Sequence, residues 1–243
     1  MEYRGVTHIG LVRSQNQDCY ECFGLPGGAV FAVVCDGMGG PLGGEVASAL
    51  SRDIIRDVID GGYTEGMDGE AVMQLLRVAL EAANAAVFER GASENEHAGM
   101  GTTVVAALIR KDEAFVANVG DSRAYLFTEQ GLEKITHDHS VVQEMLDGGT
   151  ITENEARSHP QKNIITRALG TQESVNIDIF RVDVAPGNRI LLCSDGLTNM
   201  VEDADISWEL ARPGALDQVL SALLHRTLEA GATDNITAVA VEL

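Results

Sequence analysis

Four aspartates stand at the ends of short apolar runs, where a carboxylate is placed to do chemistry. They occur after AVFAVVC (Asp36), after AFVANVG (Asp121), after RILLCS (Asp195) and before NITAVAVE (Asp234). A carboxylate at the end of a buried strand is rigid and partly desolvated, which costs free energy unless a cation or hydrogen bonds compensate. Three of the four adjoin a glycine that permits tight turns and the close approach of a ligand to a main-chain carbonyl, namely Gly37, Gly120 and Gly196.

These aspartates predict a metal site when they are taken together. Aspartate beside glycine is ordinary turn chemistry, and that explanation suffices for any one of them alone. Hard oxygen ligands without accompanying Cys or His select Mg²⁺ or Mn²⁺ over zinc. Two such ions about 3.5–4 Å apart would clamp a phosphate and lower the pKa of a bridging water enough to make hydroxide near neutral pH. The pattern therefore predicts metal-dependent hydrolysis of a phosphate ester.

Other attacking groups are less well supported by the sequence. It contains no G-x-S-x-G motif and no cysteine at a helix start. The glycine-rich segment GMGGPLGGE lacks the Lys that a phosphate-binding loop of the Walker type needs. A water activated by metal remains the best candidate nucleophile.

The charge balance limits the possible partners. The formal net charge is −20, from 37 acidic and 17 basic residues among 243. Phosphate backbones are bound chiefly by Lys and Arg, so we expect no binding to nucleic acid or to an anionic membrane. An anionic substrate would need local positive charge, and bound cations would supply it.

Cysteine content and the N-terminus favour a cytoplasmic protein. Four cysteines are too few for a disulfide scaffold of this size, which fits a reducing compartment. Cys19 and Cys22 form C-x-x-C, but a single such pair is weak evidence for a zinc or redox site, and the alternation in DCYECF favours a strand. Residues 1–10 show no basic start followed by an apolar run, and we expect no secretory signal and no membrane span.

The elements that must position the aspartates are short strands and amphipathic helices. Apolar residues at three- and four-residue spacing predict helices over 44–60, 70–90 and 216–229. Runs rich in Val, Ile, Ala and aromatic residues predict strands at 29–35, 102–109, 114–119, 123–127, 189–193 and 235–242. The short connection at 110–113 favours antiparallel hairpins, and strands with two apolar faces favour two sheets packed face to face with helices outside. The predicted class is α+β.

A polar segment at 140–163 interrupts this pattern. It contains two helix-start signatures, Ser140 with Gln143 and Thr152 with Glu155. We expect a small helical insertion. Such an excursion is as often a plain surface feature as a lid beside a binding site. Nothing else divides the chain, so residues 1–243 are expected to form one catalytic domain.

Ordered motifs along the whole chain resemble one known family. They are VRSQNQD at 12–18, DGMGG at 36–40 with GE at 44–45, GTT at 101–103, VGDSR at 119–123, LCSDGL at 192–197 and DNIT at 234–237. In this order they resemble the metal-dependent protein phosphatases of type 2C in their compact bacterial form. The resemblance implies a four-layer α-β-β-α sandwich of two antiparallel sheets flanked by helices, with metals at one end and a flap beside the site at 140–163.

The same resemblance implies roles for individual residues. Asp36, Asp195 and Asp234 would ligate one metal, and Asp36 with the Gly37 carbonyl would ligate the other. Asp18 would orient metal-bound water. Asp121, with Asp195, matches a third and weaker metal position. Arg13 would bind substrate phosphate, a role that suits its bidentate guanidinium, although an arginine taken alone is more often a solvated surface residue.

Two positions depart from the pattern of the family. Many relatives have Glu where this chain has Gln17, so no role is carried over to it. Bacterial relatives often have DGMGGH, with the His proposed to protonate the leaving alkoxide, whereas this chain has Pro41. The candidate substitutes are a metal-bound water and His139, and we interpret His139 as structural.

Three hypotheses of function follow. The first is a Mn²⁺- or Mg²⁺-dependent phosphatase acting on phosphoserine and phosphothreonine in proteins, reversing a bacterial Ser/Thr kinase, and acting as a monomer. The second is a catalytically weak module that binds phosphoproteins, which only Pro41 favours. The third is a phosphatase of a small metabolite, which shares the chemistry and differs in the pocket.

Overall fold

A computed structural model describes residues 1–40 and 43–243. The described strands are β1 (Glu2–His8), β2 (Asp18–Gly24), β3 (Val30–Met38), β4 (Gly101–Thr102), β5 (Val104–Ile109), β6 (Glu113–Val119), β7 (Arg123–Thr128), β8 (Gly131–Lys134), β9 (Asp178–Asp183), β10 (Arg189–Cys193) and β11 (Ile236–Glu242). The helices are α1 (Gly43–Gly62), α2 (Gly69–Ser93), α3 (Val141–Asp147), α4 (Glu153–Arg157), α5 (Asp195–Thr198), α6 (Asp203–Ala211) and α7 (Leu216–Glu229). Pro41 lies outside the described residues.

The strands form two antiparallel sheets. One has the order β1-β11-β10-β7-β8, and the other has the order β2-β3-β5-β6-β9 with β4 paired to β3. The first sheet joins the two ends of the chain, because β1 pairs along its whole length with β11.

Alternation along the central strands builds the layers, because successive side chains of a strand point to opposite faces. Val34 of β3 packs in the core between the two sheets, whereas Phe31 and Cys35 of the same strand pack against α1 and α2. In β11, Val239 faces the other sheet and Ala240 packs with α6 and α7. The result is the predicted α+β sandwich of four layers, and that prediction is confirmed.

Antiparallel pairing brings several strand ends to one edge. The neighbours β2, β3, β5 and β6 pair antiparallel, so their directions alternate across the sheet. β3 and β6 therefore end at the edge where β2 and β5 begin. In the other sheet, β10 ends where β11 begins. A hydrogen bond of 2.7 Å from the Ser194 hydroxyl to Asp18 Oδ2 joins these two edges. The predicted site residues follow or precede strands at this end of the sandwich.

Two expected strands differ from the observed ones. The single strand expected at 102–109 is divided at Thr103 into β4 and β5. Asp36 was placed after a strand, but β3 continues through Gly37 to Met38 because β4 pairs with its last residues, Gly37 with Thr102 and Met38 with Gly101. Asp36 is therefore held inside a paired strand.

The buried face of α1 also differs from the expected one. The predicted apolar stripe, of which Leu50 and Ile54 are part, is only partly buried. The fully buried face instead includes Ala47, Ser48 and Ser51. Ile55 and Ile59 complete the same buried face, so the helix buries small residues in its first half and large aliphatic ones in its second half.

The expectation that no apolar stretch is long enough to span a membrane was wrong for α2. By length and composition this helix could cross a membrane. In the fold one face of α2, which includes Val72, Leu76 and Leu80, packs against the second sheet on the side away from the first sheet. A core helix that packs against a sheet can be as long and as apolar as a membrane-spanning helix. Packing in the core therefore explains the composition of α2.

The polar insertion is helical, as expected. Ser140 caps α3 by accepting a hydrogen bond from the backbone N–H of Gln143. Thr152 caps α4 through a capping box with Glu155. A bridge between Ser140 and Ile165 closes the base of this segment.

Candidate metal centre

A cleft of about 460 Å³ opens at the edge where the strand ends meet. Six predicted site residues line it: Arg13, Asp36, Gly37, Asp121, Asp195 and Asp234. The insertion contributes Asn163, and Ile165 follows it on the same wall. The seventh predicted residue, Asp18, does not line the cleft but lies in the edge joined by Ser194. The geometry thus brings the sequence-predicted residues to one end of the sandwich.

Asp18 and Asp36 form a direct cross-strand pair of β2 and β3. Asp18 is only 7% exposed. Ser194 donates to its Oδ2, while its buried Oδ1 has no hydrogen-bond partner. Burial, reinforced by the charges of Asp195 and Asp234, raises the pKa of Asp18 to about 7. A buried carboxylate with an unpartnered oxygen is costly in isolation, which makes this position suited to a nearby cation.

The backbone of Asp36 is fixed by the two threonines that follow Gly101. Its N–H donates to Thr103 Oγ1 at 3.3 Å, and its carbonyl accepts from Thr103 N–H at 2.8 Å and from the Thr102 hydroxyl at 2.9 Å. Burial, followed by the negative charge of Asp18 and then of Asp195, holds the pKa of Asp36 well above its usual range. The side chain is thus rigidly presented to other carboxylates.

Asp195 begins α5 directly after β10 and Ser194. Its Oδ2 accepts a hydrogen bond of 2.8 Å from Asn199, and its buried Oδ1 has no partner. Burial, followed by the charge of Asp234, raises the pKa of Asp195, and its carboxyl interacts directly with that of Asp36.

Asp121 follows a turn that His139 holds in place. Gly120 has a φ of +112°, a conformation open to glycine. The Gly120 N–H donates to His139 Nδ1 at 3.0 Å, and the Gly120 carbonyl accepts from the His139 N–H at 2.9 Å. Burial, followed by the charge of Asp195, holds the pKa of Asp121 well above its usual range.

His139 has a structural role, as expected. Its side chain is 3% exposed, and its Nε2 lies 3.0 Å from Asp178 Oδ2. Burial lowers the pKa of the ring, so the neutral form that accepts from Gly120 is favoured. Both ring nitrogens are engaged, and His139 does not line the cleft.

Asp234 is held by the N-terminal segment and by its neighbour. Arg13 Nη2 binds its Oδ2 at 2.7 Å, and the Asn235 N–H donates to its Oδ1 at 2.8 Å. The Arg13 side chain remains 52% exposed at the cleft. The predicted phosphate-binding arginine therefore contacts a predicted metal ligand.

Two glycines near the site serve close approach of main chain to main chain. A side chain at Gly37 would collide with the Gly44 carbonyl, and one at Gly196 would collide with the Asn235 carbonyl. These contacts bring the start of α1 against β3, and the start of α5 against β11. These contacts give a packing reason for glycine at both positions, and the expected approach of a ligand to a main-chain carbonyl stays a prediction.

The donor set fits a hard divalent cation. The carboxylates raise one another's pKa, and two of them carry buried oxygens without partners, Asp18 Oδ1 and Asp195 Oδ1. Within residues 1–40 and 43–243, no three acidic, His or Cys side chains converge in ready ligand geometry. Oxygen donors alone favour Mg²⁺ or Mn²⁺.

Sequence reasoning missed the residue that joins the chain ends at the site. The Asn235 side chain accepts from the Gln17 N–H at 2.8 Å and donates to the carbonyls of Ile9 and Gln15, both at 2.9 Å. A signal was present, because Asn235 follows Asp234 in the DNIT motif. An amide side chain with both donor and acceptor capacity suits a junction between two segments.

The family of the chain follows from comparison with known sequences. Residues 4–238 match the family model described as protein phosphatase 2C. The chain belongs to the protein phosphatase 2C family. It is thus a phosphoprotein phosphatase, and the predicted family and enzyme class are confirmed.

Relatives within the protein phosphatase 2C family share the full length of the chain. A serine/threonine phosphatase, stp, from Listeria welshimeri is 36% identical over 236 residues, which cover 97% of this chain and 93% of the relative. The crystal structure of the serine/threonine phosphatase Stp1 from Staphylococcus aureus superposes with a TM-score of 0.94 at 34% identity, covering 100% of this chain and 94% of that one.

A further solved member concerns the metal. The catalytic domain of the serine/threonine protein phosphatase PstP, described in complex with 2 manganese ions, has a TM-score of 0.87 and 32% identity, covering 99% of this chain and 97% of that one. The predicted cofactor class, Mn²⁺ or Mg²⁺, is confirmed at the level of the protein phosphatase 2C family.

Proposed function

We propose that this phosphatase hydrolyses phosphoserine and phosphothreonine in other proteins, with Mn²⁺ or Mg²⁺ bound by aspartates at the end of the sandwich. The observation that carries the proposal is the meeting of carboxylates from both sheets around one cleft. Asp195 in the cleft and Asp18 beside it each have a buried oxygen without a hydrogen-bond partner. The relatives named serine/threonine phosphatases support the choice of substrate.

In this proposal each aspartate has a defined task. Asp36, Asp195 and Asp234 hold one ion, and Asp36 with the Gly37 carbonyl holds the other. Asp18 accepts hydrogen bonds from the attacking water and orients it. Asp121 contributes with Asp195 to a third, weaker position. When bound, the ions supply positive charge to the phosphate and acidify the water that attacks phosphorus.

Arg13 binds the substrate phosphate in this scheme. Its guanidinium is half exposed at the cleft and is held near the aspartates by Asp234. A planar guanidinium offers two parallel N–H donors to a phosphate, which fixes orientation as well as charge. Movement of Arg13 from Asp234 to the phosphate would free Asp234 Oδ2 for an ion.

No histidine lines the cleft among the residues that the structure describes. Because both ring nitrogens of His139 are engaged elsewhere, we infer that no described imidazole protonates the leaving serine or threonine oxygen. A water molecule is then the remaining proton donor. A poor alkoxide leaving group loses more from this arrangement than an aryl oxide does, since general acid assistance contributes about 10²–10⁴-fold.

We propose further that residues 1–243 form one catalytic domain with a flap at about 140–163, acting as a monomer in the cytoplasm on substrates of a Ser/Thr kinase. The flap is supported by Asn163, which lines the cleft beside Ile165. The acidic composition argues against nucleic acid as a partner.

The test compares hydrolysis of p-nitrophenyl phosphate and of a phosphothreonine peptide, with Mn²⁺ and with chelator. Mn²⁺-dependent turnover of both substrates is expected, with the aryl ester favoured. Activity that persists in chelator would refute the metal mechanism. Turnover of small phosphorylated metabolites without turnover of the peptide would refute the proposed substrate class. Light scattering after size exclusion checks for the monomer.

A further inference from the structure

Two cysteines face each other beside the carboxylates of the metal centre. Cys19 of β2 and Cys35 of β3 are direct partners in the antiparallel register, next to the pair Asp18 and Asp36. Each cysteine is therefore covalently adjacent to one of those aspartates.

The geometry of this strand pair permits a covalent link. Hydrogen bonds from Gly37 N–H to the Gln17 carbonyl and from Leu25 N–H to the Ala29 carbonyl fix the alternation along β2 and β3. That alternation makes Cys19 and Cys35 a hydrogen-bonded pair, for which Cα atoms lie about 5.5 Å apart. This spacing falls within the range of about 4.4–6.8 Å that disulfides span.

Both thiols lie on the same side of the sheet. Cys35 is fully buried in the core beneath α1 and α2, and Cys19 packs against the same core. The two thiols interact with each other, and Ser48 and Arg52 of α1 lie beside Cys19.

The C-x-x-C motif is not the functional pair. Cys22 packs against the core between the sheets, on the opposite face of β2 from Cys19, as expected for residues three apart on a strand. The strand interpretation of DCYECF is confirmed. The structure replaces Cys22 with Cys35 as the partner of Cys19.

The two thiols differ in solvent exposure, and this difference sets the order in which they react with an oxidant. Cys19 is half-buried, whereas Cys35 has no exposed surface. An oxidant from solvent therefore meets Cys19 first, and Cys35 is placed to resolve the product. A sulfenic acid beside a second thiol condenses to a disulfide.

We propose that Cys19 and Cys35 form a reversible disulfide when a hydroperoxide oxidises the protein, and that this link weakens divalent-cation binding at the neighbouring aspartates. The Cys19 sulfur attacks the terminal hydroxyl oxygen of the peroxide, so that an S–O bond forms as the O–O bond breaks. The other oxygen takes up the thiol proton and leaves as water, or as an alcohol from an alkyl hydroperoxide, and Cys19 becomes a sulfenic acid. The Cys35 sulfur then attacks the Cys19 sulfur and releases a second water. The peroxide gains the electron pair that the two thiols lose.

The effect on the metal centre follows from adjacency. A disulfide needs Cβ atoms about 3.5–4.5 Å apart, whereas the Cβ atoms of directly opposite residues lie about 4.5–5.5 Å apart and are closer only in non-hydrogen-bonded pairs. β2 and β3 must therefore shift locally to form the bond. Asp18 and Asp36 are the next pair along the two strands. Disturbing the support of metal ligands typically lowers metal affinity by about 10–100-fold. This consequence rests on the proposed metal centre, whereas formation of the disulfide does not.

The experiment treats the intact protein with hydrogen peroxide and reads out the bond and the metal separately. Mass spectrometry of the whole chain and of its peptides should show the loss of two hydrogen atoms and a linked Cys19–Cys35 peptide, both reversed by dithiothreitol. Calorimetric titration with Mn²⁺ should give an affinity at least about tenfold lower after oxidation, restored by reduction.

Variants of the three cysteines sharpen the test. Cys19→Ser and Cys35→Ala should each abolish the link and the loss of affinity, and Cys19→Ser serves if the buried substitution prevents folding. Cys22→Ser is the control, because Cys22 is also partly buried on the same strand but faces the other way. It should behave as the wild-type protein does.

Several results would overturn the proposal. A link between other cysteines, oxidation of Cys19 without a link, or an unchanged Mn²⁺ affinity in the linked protein would each do so. A reduced protein that binds no Mn²⁺ would instead refute the proposed function and leave the disulfide chemistry standing.

Discussion

At the residue scale, burying the aspartates close together costs free energy, and a bound cation would offset that cost. Asp36 is surrounded by the charges of four other aspartates, Asp18, Asp195, Asp121 and Asp234. A buried carboxylate near like charges disfavours its own ionisation, and the neighbourhood of a divalent ion reverses that preference. The same residues are therefore unfavourable for the metal-free fold and favourable for metal binding.

Asp36→Asn should separate these two effects. Mn²⁺ affinity and Mn²⁺-dependent turnover should fall by more than about tenfold, since a carboxylate ligand is replaced by a neutral amide. The thermal midpoint in chelator should rise, because a buried repelling charge has been removed. Calorimetric titration and thermal unfolding measure both.

A suitable control for Asp36→Asn is Asp147→Asn. Asp147 is half exposed in the insertion, where it binds His137 at 2.8 Å. It should change neither quantity measurably. Full Mn²⁺-dependent activity in Asp36→Asn would contradict the assignment of this residue.

Arg13→Ala should affect substrate binding more than the chemical step. A charge-assisted hydrogen bond to phosphate is worth about 1.5–3 kcal/mol, so KM for a phosphothreonine peptide should rise roughly tenfold or more. Mn²⁺ affinity should not fall, because Asp234 loses a competing partner. Steady-state kinetics and metal titration provide the two readouts.

Arg13→Lys should recover part of the affinity for the peptide but not the geometry of a bidentate contact. An Arg13→Ala protein with unchanged KM and lower Mn²⁺ affinity would assign Arg13 to the support of Asp234 instead.

At the element scale, the central strands and long helices were predictable because their apolar periodicity is strong. β10 and α7 have the predicted bounds, and α2 begins and ends within three residues of its own predicted bounds. The sequence did not predict β1, β8 and β9. Each of these strands lies at the edge of a sheet and pairs with a neighbouring strand on one side only. Edge strands such as EYRGVTH keep exposed polar residues, so their alternation is weak.

The site was predictable to a different extent. The aspartates could be found because each adjoins an apolar run, and the family motifs gave their roles. The support of Gly120 by His139 could not, because the two residues are separated by β7 and β8 in sequence and meet only in the folded chain. The Cys19–Cys35 pair was hidden for the same reason, since register decides it.

His139→Ala should loosen the turn that carries Asp121. The Gly120 N–H would lose its buried acceptor, which costs about 1–3 kcal/mol and lowers the thermal midpoint. The weakest class of bound Mn²⁺ should also lose about tenfold in affinity, because Asp121 is less well positioned. Unfolding and calorimetric titration test the two expectations.

His137→Ala is the matched control for this change. Its ring is half exposed and contacts Asp147 at the surface. A change there should leave both readouts within error. If His139→Ala lowers stability without altering the Mn²⁺ titration, then its role is in folding alone.

At the scale of the whole molecule, acidity and metal binding are linked. The carboxylates of the proposed metal centre lie close together at one end of the sandwich, and the formal net charge of −20 adds to the repulsion between them. Ions at the cleft neutralise the densest part of this charge. The free energy of unfolding should therefore increase with the concentration of free divalent cation.

The pH dependence of the chelated protein follows from Asp18. Its pKa in the folded protein is raised to about 7, above the value of an unfolded aspartate. A raised carboxylate pKa means that the folded state binds the proton more tightly, so this group stabilises the fold at low pH and that contribution is lost as pH rises from about 4 to about 7.

Thermal midpoints in chelator at about pH 5.5 and about pH 7.5 provide the measurement. The midpoint of the wild-type protein should fall over this interval by several degrees more than that of Asp18→Asn, at about 2–4 °C per kcal/mol for a chain of this size. Saturating Mn²⁺ should raise the midpoint at the higher pH. Equal pH dependence in both proteins would show that Asp18 ionises normally.

The junction at Asn235 has a consequence for how the enzyme is made. Asn235 bonds to Ile9, Gln15 and Gln17, and β11 completes its sheet by pairing with β1. During synthesis Asp18 and Asp36 leave the ribosome before Asp234 and β11 do. If Asp234 holds an ion as proposed, a nascent chain is inert as a phosphatase until β11 has emerged and paired with β1.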